Sequence, residues 1–310
     1  VLAAGCSAWA WAGAGWVVDL AANLTAQWLT LALILGLVAC LRRRWRAASV
    51  CGLCGLAAWA GLLATPRAER TDGADLAQVV RVLVMNAAPS NDRTDDLVRT
   101  IRDADPDVLI VLETPEALLP FLKDGGGLRD RLPHGWVPDH AGESFRAVLT
   151  RWPQRGGDDW EKGSWATAEH GLRVMRVERP GGAFTLVVAH PASPRTARRW
   201  ADGNALVERV AAMVNTRLLP EGLPVLVAGD FNSAPAGHRS RLLSGRTGLR
   251  RAKPRALPAG TWPAALPWPA RAAIDDVFVD AATGVVSWRA IPAPGSDHSA
   301  VLVELSLGAR

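Results

Sequence analysis

Residues 1–65 contain a single acidic residue, Asp19, and no basic residue outside Arg42, Arg43, Arg44 and Arg46. A stretch that long with so few charges has no solvated face to offer, and this is the composition of chain buried in a bilayer. Residues 20–41 and 47–65 are apolar runs of close to the roughly 20 residues that cross a hydrocarbon core. A third run, residues 2–18, predicts either a first crossing or an interfacial girdle built from Trp9, Trp11 and Trp16. The arginines between the two best runs must sit outside the hydrocarbon, because each costs about 2.5 to 3.5 kcal/mol at the bilayer centre. A short basic loop of this kind is retained in the cytoplasm, so the next span leads outward and the rest of the chain is expected to be extracytoplasmic.

The expected organisation is a membrane anchor of two or three transmembrane helices over residues 1–65, a tether at 66–78, and a globular domain at 79–310. All four cysteines, Cys6, Cys40, Cys51 and Cys54, fall in the anchor. Cys51 and Cys54 have redox or metal spacing, but small side chains on a membrane helix more commonly serve close helix packing. The formal charge of +5 does not choose between nucleic acid and anionic lipid as a partner.

Beyond residue 78, strand-like and helical patterns alternate. Strands are predicted at 79–85, 108–112, 146–150, 173–178, 184–189, 225–228, 274–279 and 300–305. Helices are predicted at 94–103, with Thr94 as cap, and at 196–218, where Val207, Val210, Ala211, Val214 and Leu218 recur at helical spacing. That order suits two packed sheets covered by helices. Residues 239–255 read as a basic surface loop, whose Arg239, Arg241, Arg246, Arg250, Arg251, Lys253 and Arg255 either bind phosphates or are simply solvated.

Four polar clusters adjoin these strands: Asn86, Glu113, Gly229-Asp230-Phe231-Asn232 and Ser296-Asp297-His298. Each alone has an ordinary structural explanation, since Gly-Asp after a strand is commonly a turn. Glu113 is less ordinary, because it ends the run Val108-Leu109-Ile110-Val111-Leu112, where an unpaired carboxylate is costly. Together, carboxylates, a carboxamide and an imidazole hold a hard cation, activate water and neutralise phosphoryl charge.

The order of these clusters resembles the endonuclease/exonuclease/phosphatase superfamily. The matching stretches also include Asp105-Pro106-Asp107, His190-Pro191, Ile274-Asp275-Asp276 and Gly295. Ser193-Pro194, Trp200 and Gly260-Thr261-Trp262-Pro263 are similar to its membrane-anchored bacterial branch, which includes the VanJ-type teicoplanin-resistance proteins. The resemblance implies a four-layer α/β sandwich and a phosphoesterase using Mg²⁺, with Mn²⁺ as a substitute. It implies that Glu113, Asn86 and Asp297 serve the metal, and that Asp230 orients or deprotonates the attacking water. It further implies that Asn232 hydrogen-bonds a phosphate oxygen or that water, that His298 contacts phosphoryl oxygens, that Asp275 fixes the His298 tautomer, and that His190 donates to the substrate or leaving-group oxygen. Asp276 is read as structural. Many relatives carry Gln where Leu112 stands, and this chain has no Tyr. The leading reading is a hydrolase of a membrane lipid pyrophosphate such as undecaprenyl pyrophosphate, with a role in glycopeptide resistance. The alternatives are an extracytoplasmic nuclease or phosphodiesterase, and a non-enzymatic binding module on the same fold.

Overall fold

The computed structural model describes residues 1–73, 78–123, 127–141, 146–155, 172–254 and 259–308. Arg255 and part of the expected tether lie outside them. The described strands form two six-stranded sheets. In the first, the order is β11 (Thr283–Ile291), β12 (Ala300–Leu307), β1 (Val79–Asn86), β2 (Val108–Leu112), β4 (Arg146–Thr150) and β3 (His134–Trp136). In the second it is β5 (Gln154–Arg155), β6 (Leu172–Val177), β7 (Phe184–Ala189), β8 (Val225–Asp230), β10 (Asp275–Val279) and β9 (Arg250–Arg251). Strands buried on both faces need continuous apolar runs, and β1, β2, β7 and β8 supply them. Val82, Val84, Ile110 and Leu112 of one sheet share a core with Leu186, Val188, Leu226 and Ala228 of the other.

The helices of residues 1–65 are α1 (Leu2–Ser7), α2 (Trp16–Asn23), α3 (Thr25–Leu41) and α4 (Trp45–Leu63). Beyond residue 78, α5 (Thr94–Ala104) and the short α6 (Leu119–Leu122) belong to the first sheet's side, and α7 (Ala197–Met213) and α8 (His238–Thr247) to the second. Leu97, Val98 and Ile101 of α5 close a second core with Leu83, Leu109 and Leu149. Val207, Val210 and Ala211 of α7 close a third with Val187, Val227 and Phe278. The result is the expected sandwich of two sheets between helices.

Several sequence expectations are corrected. Thr94 opens α5 but makes no side-chain cap, and Asn91 Oδ1 instead accepts the Arg93 amide at 2.9 Å. The 196–218 helix is α7 capped by Thr196, followed by one wider turn at Val214–Leu218. Residues 239–255 are not a surface loop, because most of α8 and all of β9 lie within them. Arg239 is buried and donates to Asn204 Oδ1 at 3.0 Å and to the carbonyls of Ala192 and Phe231. Arg251 is also buried, paired with Asp276 at 2.6 Å, and donates to Ser240 Oγ and the Ala273 carbonyl. Trp288 Nε1 donates to the same Asp276 carboxylate at 2.9 Å, which gives Asp276 its structural role.

Residues 2–18 do not form one helix: α1 passes into a 3₁₀ stretch, Ala8–Ala14, and the chain breaks at Gly15. Gly61 makes this path possible, since a Cβ there would enter the Trp9 ring, whose Nε1 donates to the Ala57 carbonyl at 2.8 Å. Nor do residues 20–41 form one straight span, because α2 and α3 meet at 61°. Helix α4 is long and apolar enough to cross a membrane by itself, whereas α2 and α3 pass only as a bent pair. Helices α3 and α4 pack as a hairpin turned at Arg42–Arg44. Leu33, Ile34, Leu37, Leu53 and Leu56 remain exposed on it. Cys6 and Cys54 are buried with Leu29, Ala32 and Ala58, in keeping with a packing role.

Candidate active site

Register brings the polar clusters to one end of both sheets. Strands β1 and β2 run parallel and end at Asn86 and just before Glu113, while β7 and β8 run parallel and end just before His190 and at Asp230. Strands β12 and β10 run antiparallel to them and therefore begin there, placing His298 beside β1 and Asp275 directly opposite Asp230. Gly229 allows the close approach in the second sheet, because a Cβ at its φ of +154° would collide with the Ala189 carbonyl.

Glu113 and Asn232 both adopt left-handed backbone, with φ of 51° and 49°. Such residues carry a cost of about 1 to 3 kcal/mol and persist where surrounding contacts fix them, often at functional sites. Asn86 Nδ2 donates to Glu113 Oε1 at 3.0 Å and to Asp230 Oδ2 at 3.2 Å, joining the two sheets through their carboxylates. His190 Nε2 lies 3.5 Å from Glu113 and 3.7 Å from Asp230. His298 Nε2 lies 3.8 Å from Asp230, and its Nδ1 is 2.9 Å from Asp275 Oδ2. The Asn232 backbone N–H donates to Asp230 Oδ1 at 2.7 Å, while its side chain donates to the Pro191 carbonyl at 3.2 Å.

Asp297 Oδ2 accepts from Trp262 Nε1 at 2.9 Å, and its Oδ1 is 4.0 Å from His298 Nε2. The eight expected site residues form one linked cluster. Sequence reasoning missed two supports. Ser296 Oγ donates to the Asn86 carbonyl at 2.7 Å and accepts from the His298 N–H at 3.0 Å, tying β12 to β1. The buried Thr261 Oγ1 accepts the N–H groups of Ile274 and Asp275. Thr261 and Ser296 belong to motifs already noted in the sequence, but residue type alone does not distinguish a support from a turn.

Burial penalises the Asp230 carboxylate and the nearby Asp275 charge adds to the effect, so its pKa is pushed up to about 7 despite the opposing His298 charge. His298 behaves in the opposite sense. Burial disfavours its charge, but Asp275, Asp230 and Asp297 outweigh burial and raise it to about 10. Two sets of three residues, Glu113 with His190 and Asp230, and Asp230 with Asp275 and His298, each hold their donor atoms within 4.8 Å of one another. The first presents oxygen-rich chemistry suited to a hard divalent cation. Asp275 Oδ1 is buried and accepts no hydrogen bond among the described residues.

Glu113, Asp230, Asn232, Asp297 and His298 line a cleft of about 530 Å³, together with Ser193, Trp262, Ile274 and residues of α2. Comparison with known families accounts for the constellation. The model of the endonuclease/exonuclease/phosphatase family matches residues 82–298. The chain belongs to this family. Solved structures agree on the fold. An endonuclease/exonuclease/phosphatase protein from Beutenbergia cavernae is 20% identical, with 74% of this chain and 72% of that one covered at a TM-score of 0.52. D. rerio TDP2, complexed with a single-strand DNA product, is 16% identical, with 73% and 98% covered at 0.56. Sphingomyelinase C from Streptomyces griseocarneus is 17% identical, with 73% and 99% covered at 0.50. None of the curated proteins compared matches the sequence.

Proposed function

We propose that the protein is a membrane-anchored, outward-facing phosphoesterase that uses a divalent cation to hydrolyse a lipid pyrophosphate. The hydrolase reading rests on the joined Asn86, Glu113, Asp230, His190 and His298 cluster, three of whose members line the cleft. Glu113 would hold Mg²⁺ or Mn²⁺, with Asn86 orienting its carboxylate and Asp297 serving the metal side. The bound ion would neutralise phosphoryl charge and make a water more acidic.

The protein's own groups supply the proton handling. Asp230, with a pKa near neutrality, accepts a proton from the attacking water. His298, kept protonated by Asp275, donates to a phosphoryl oxygen. His190 donates to the substrate or leaving-group oxygen, and Asn232 holds the Asp230 loop in shape. Water attack on phosphorus depends chiefly on such positioning and charge neutralisation.

The lipid assignment is supported by the exposed apolar hairpin of α3 and α4, which would hold the cleft beside a bilayer and raise the effective concentration of a membrane substrate. The likeness to VanJ-type proteins extends it to undecaprenyl pyrophosphate and a role in glycopeptide resistance. The nuclease alternative drew its sequence support from residues 239–255, and there Arg239, Arg251 and Lys253 are buried. The test is a panel of isoprenyl pyrophosphates, sphingomyelin, DNA and RNA given to the purified full chain with Mg²⁺. Phosphate release from the isoprenyl substrates supports the proposal, whereas cleavage confined to nucleic acid refutes it.

A further inference from the structure

One wall of the catalytic cleft comes from outside the stretch that the family model matches. Trp16, Leu20 and Leu24 line the same cleft as Glu113, Asp230 and His298. This wall is fastened to the catalytic domain. Asp19, the sole acidic residue of the first 65, is 2% exposed and accepts from Trp200 Nε1 and from the His238 N–H, each at 2.8 Å. Asn23 Oδ1 accepts the Ala234 N–H at 2.5 Å, and Trp16 Nε1 donates to the Pro194 carbonyl at 2.7 Å. A carboxylate buried in so apolar a segment would be costly without partners, and here it receives them from the catalytic domain.

The fastening turns large apolar side chains toward the cleft. Leu20 is 37% and Leu24, the residue that follows α2, 43% exposed, although Asp19 and Asn23 beside them are fastened to the catalytic domain. Leu24 leads directly into α3 and the exposed face of the hairpin, so the apolar wall is continuous with the surface suited to hydrocarbon.

We propose that α2 and the Leu24 that joins it to α3 form a substrate-chain wall of the active site. Trp16, Leu20 and Leu24 hold the aliphatic chain of a substrate whose phosphate group lies at Asp230 and His298, and so favour lipid phosphates over chainless ones. The inference rests on the phosphoesterase reading above and adds to it the residues that select the substrate. A fully buried methylene is worth about fourfold in affinity, so a few of them against this wall separate the two kinds of ligand.

Equilibrium binding of methylphosphonate and octylphosphonate to the full chain, followed by calorimetry, tests the wall without requiring turnover. Wild type should bind the octyl compound at least about tenfold more tightly. The Leu20→Ser, Leu24→Ser double variant should lose that preference while keeping its methylphosphonate affinity. Leu266→Ser, a comparably exposed position outside the cleft, should retain it. No chain preference in wild type, an unaltered preference in the double variant, or an equal loss for both compounds would overturn the wall. If the preference is present and depends on Leu20 and Leu24 while no lipid pyrophosphate releases phosphate, the wall stands and the substrate assignment fails.

Discussion

Replacing Asp275 with asparagine preserves the size of the side chain and removes one buried charge. Asp275 is fully buried, lies 2.9 Å from His298 Nδ1 and is register-paired with Asp230. Its charge raises both neighbours. It counters the burial that disfavours charged His298, which stands at about 10, and it adds to the burial that holds Asp230 at about 7. Turnover that needs ionised Asp230 and protonated His298 rises with pH through the Asp230 value and falls through the His298 value. Asp275→Asn therefore moves both limbs of the kcat/KM profile to lower pH. Direct contact with a carboxylate is worth about 1 to 3 pKa units, so the alkaline limb moves by that amount. At about 1.4 kcal/mol per unit, the imidazolium loses roughly 1.4 to 4 kcal/mol of support. At pH 9, where His298 at about 10 is still mostly protonated, turnover should fall about 2- to 100-fold as that limb drops by about 1 to 3 units. Phosphate release measured from about pH 5 to 11 gives both limbs. An alkaline limb that stays in place or moves upward would refute this coupling.

Glu113→Ala and a strong chelator should each lower turnover by orders of magnitude, and their combined effect should be far from multiplicative because they remove one function; full activity in chelator would contradict the metal reading. Arg251→Ala should destabilise the domain by about 3 to 5 kcal/mol in chemical denaturation, because it strands the buried Asp276, whereas Arg250→Ala should change stability by less than about 0.5 kcal/mol. Alkaline phosphatase fused after Arg310 should be active in cells if the domain is extracytoplasmic, and a fluorescent, phosphatase-inactive cytoplasmic fusion would reverse that topology.

The apolar runs ending at Asn86, Glu113 and Asp230 made the two-sheet core and the catalytic end legible, because a strand buried on both faces leaves little else for its sequence to mean. Strand β11 was not legible: Gly284, the half-buried alternation and an irregular register between Val285 and Ser287 weaken its pattern. Residues 239–255 were misread because arginine is usually solvated, and only the fold brings Asp276, Asn204 and the carbonyls that receive Arg251 and Arg239. The bend after Asn23 was equally hidden, since hydropathy cannot register a hydrogen bond to Ala234, 211 residues away. One signal for the α2 wall was nonetheless present. Asp19 stood alone as an acid in an apolar segment, and such a residue needs a partner elsewhere.

The central claim is metal-dependent hydrolysis of a lipid pyrophosphate at a bilayer, and its most direct measurement uses the full chain reconstituted into vesicles carrying an isoprenyl pyrophosphate. Phosphate release should require added Mg²⁺ or Mn²⁺, stop on chelation, and disappear in Asp230→Asn. Vesicles that release no phosphate under these conditions, from a protein that cuts DNA or RNA with the same cation, would contradict the account.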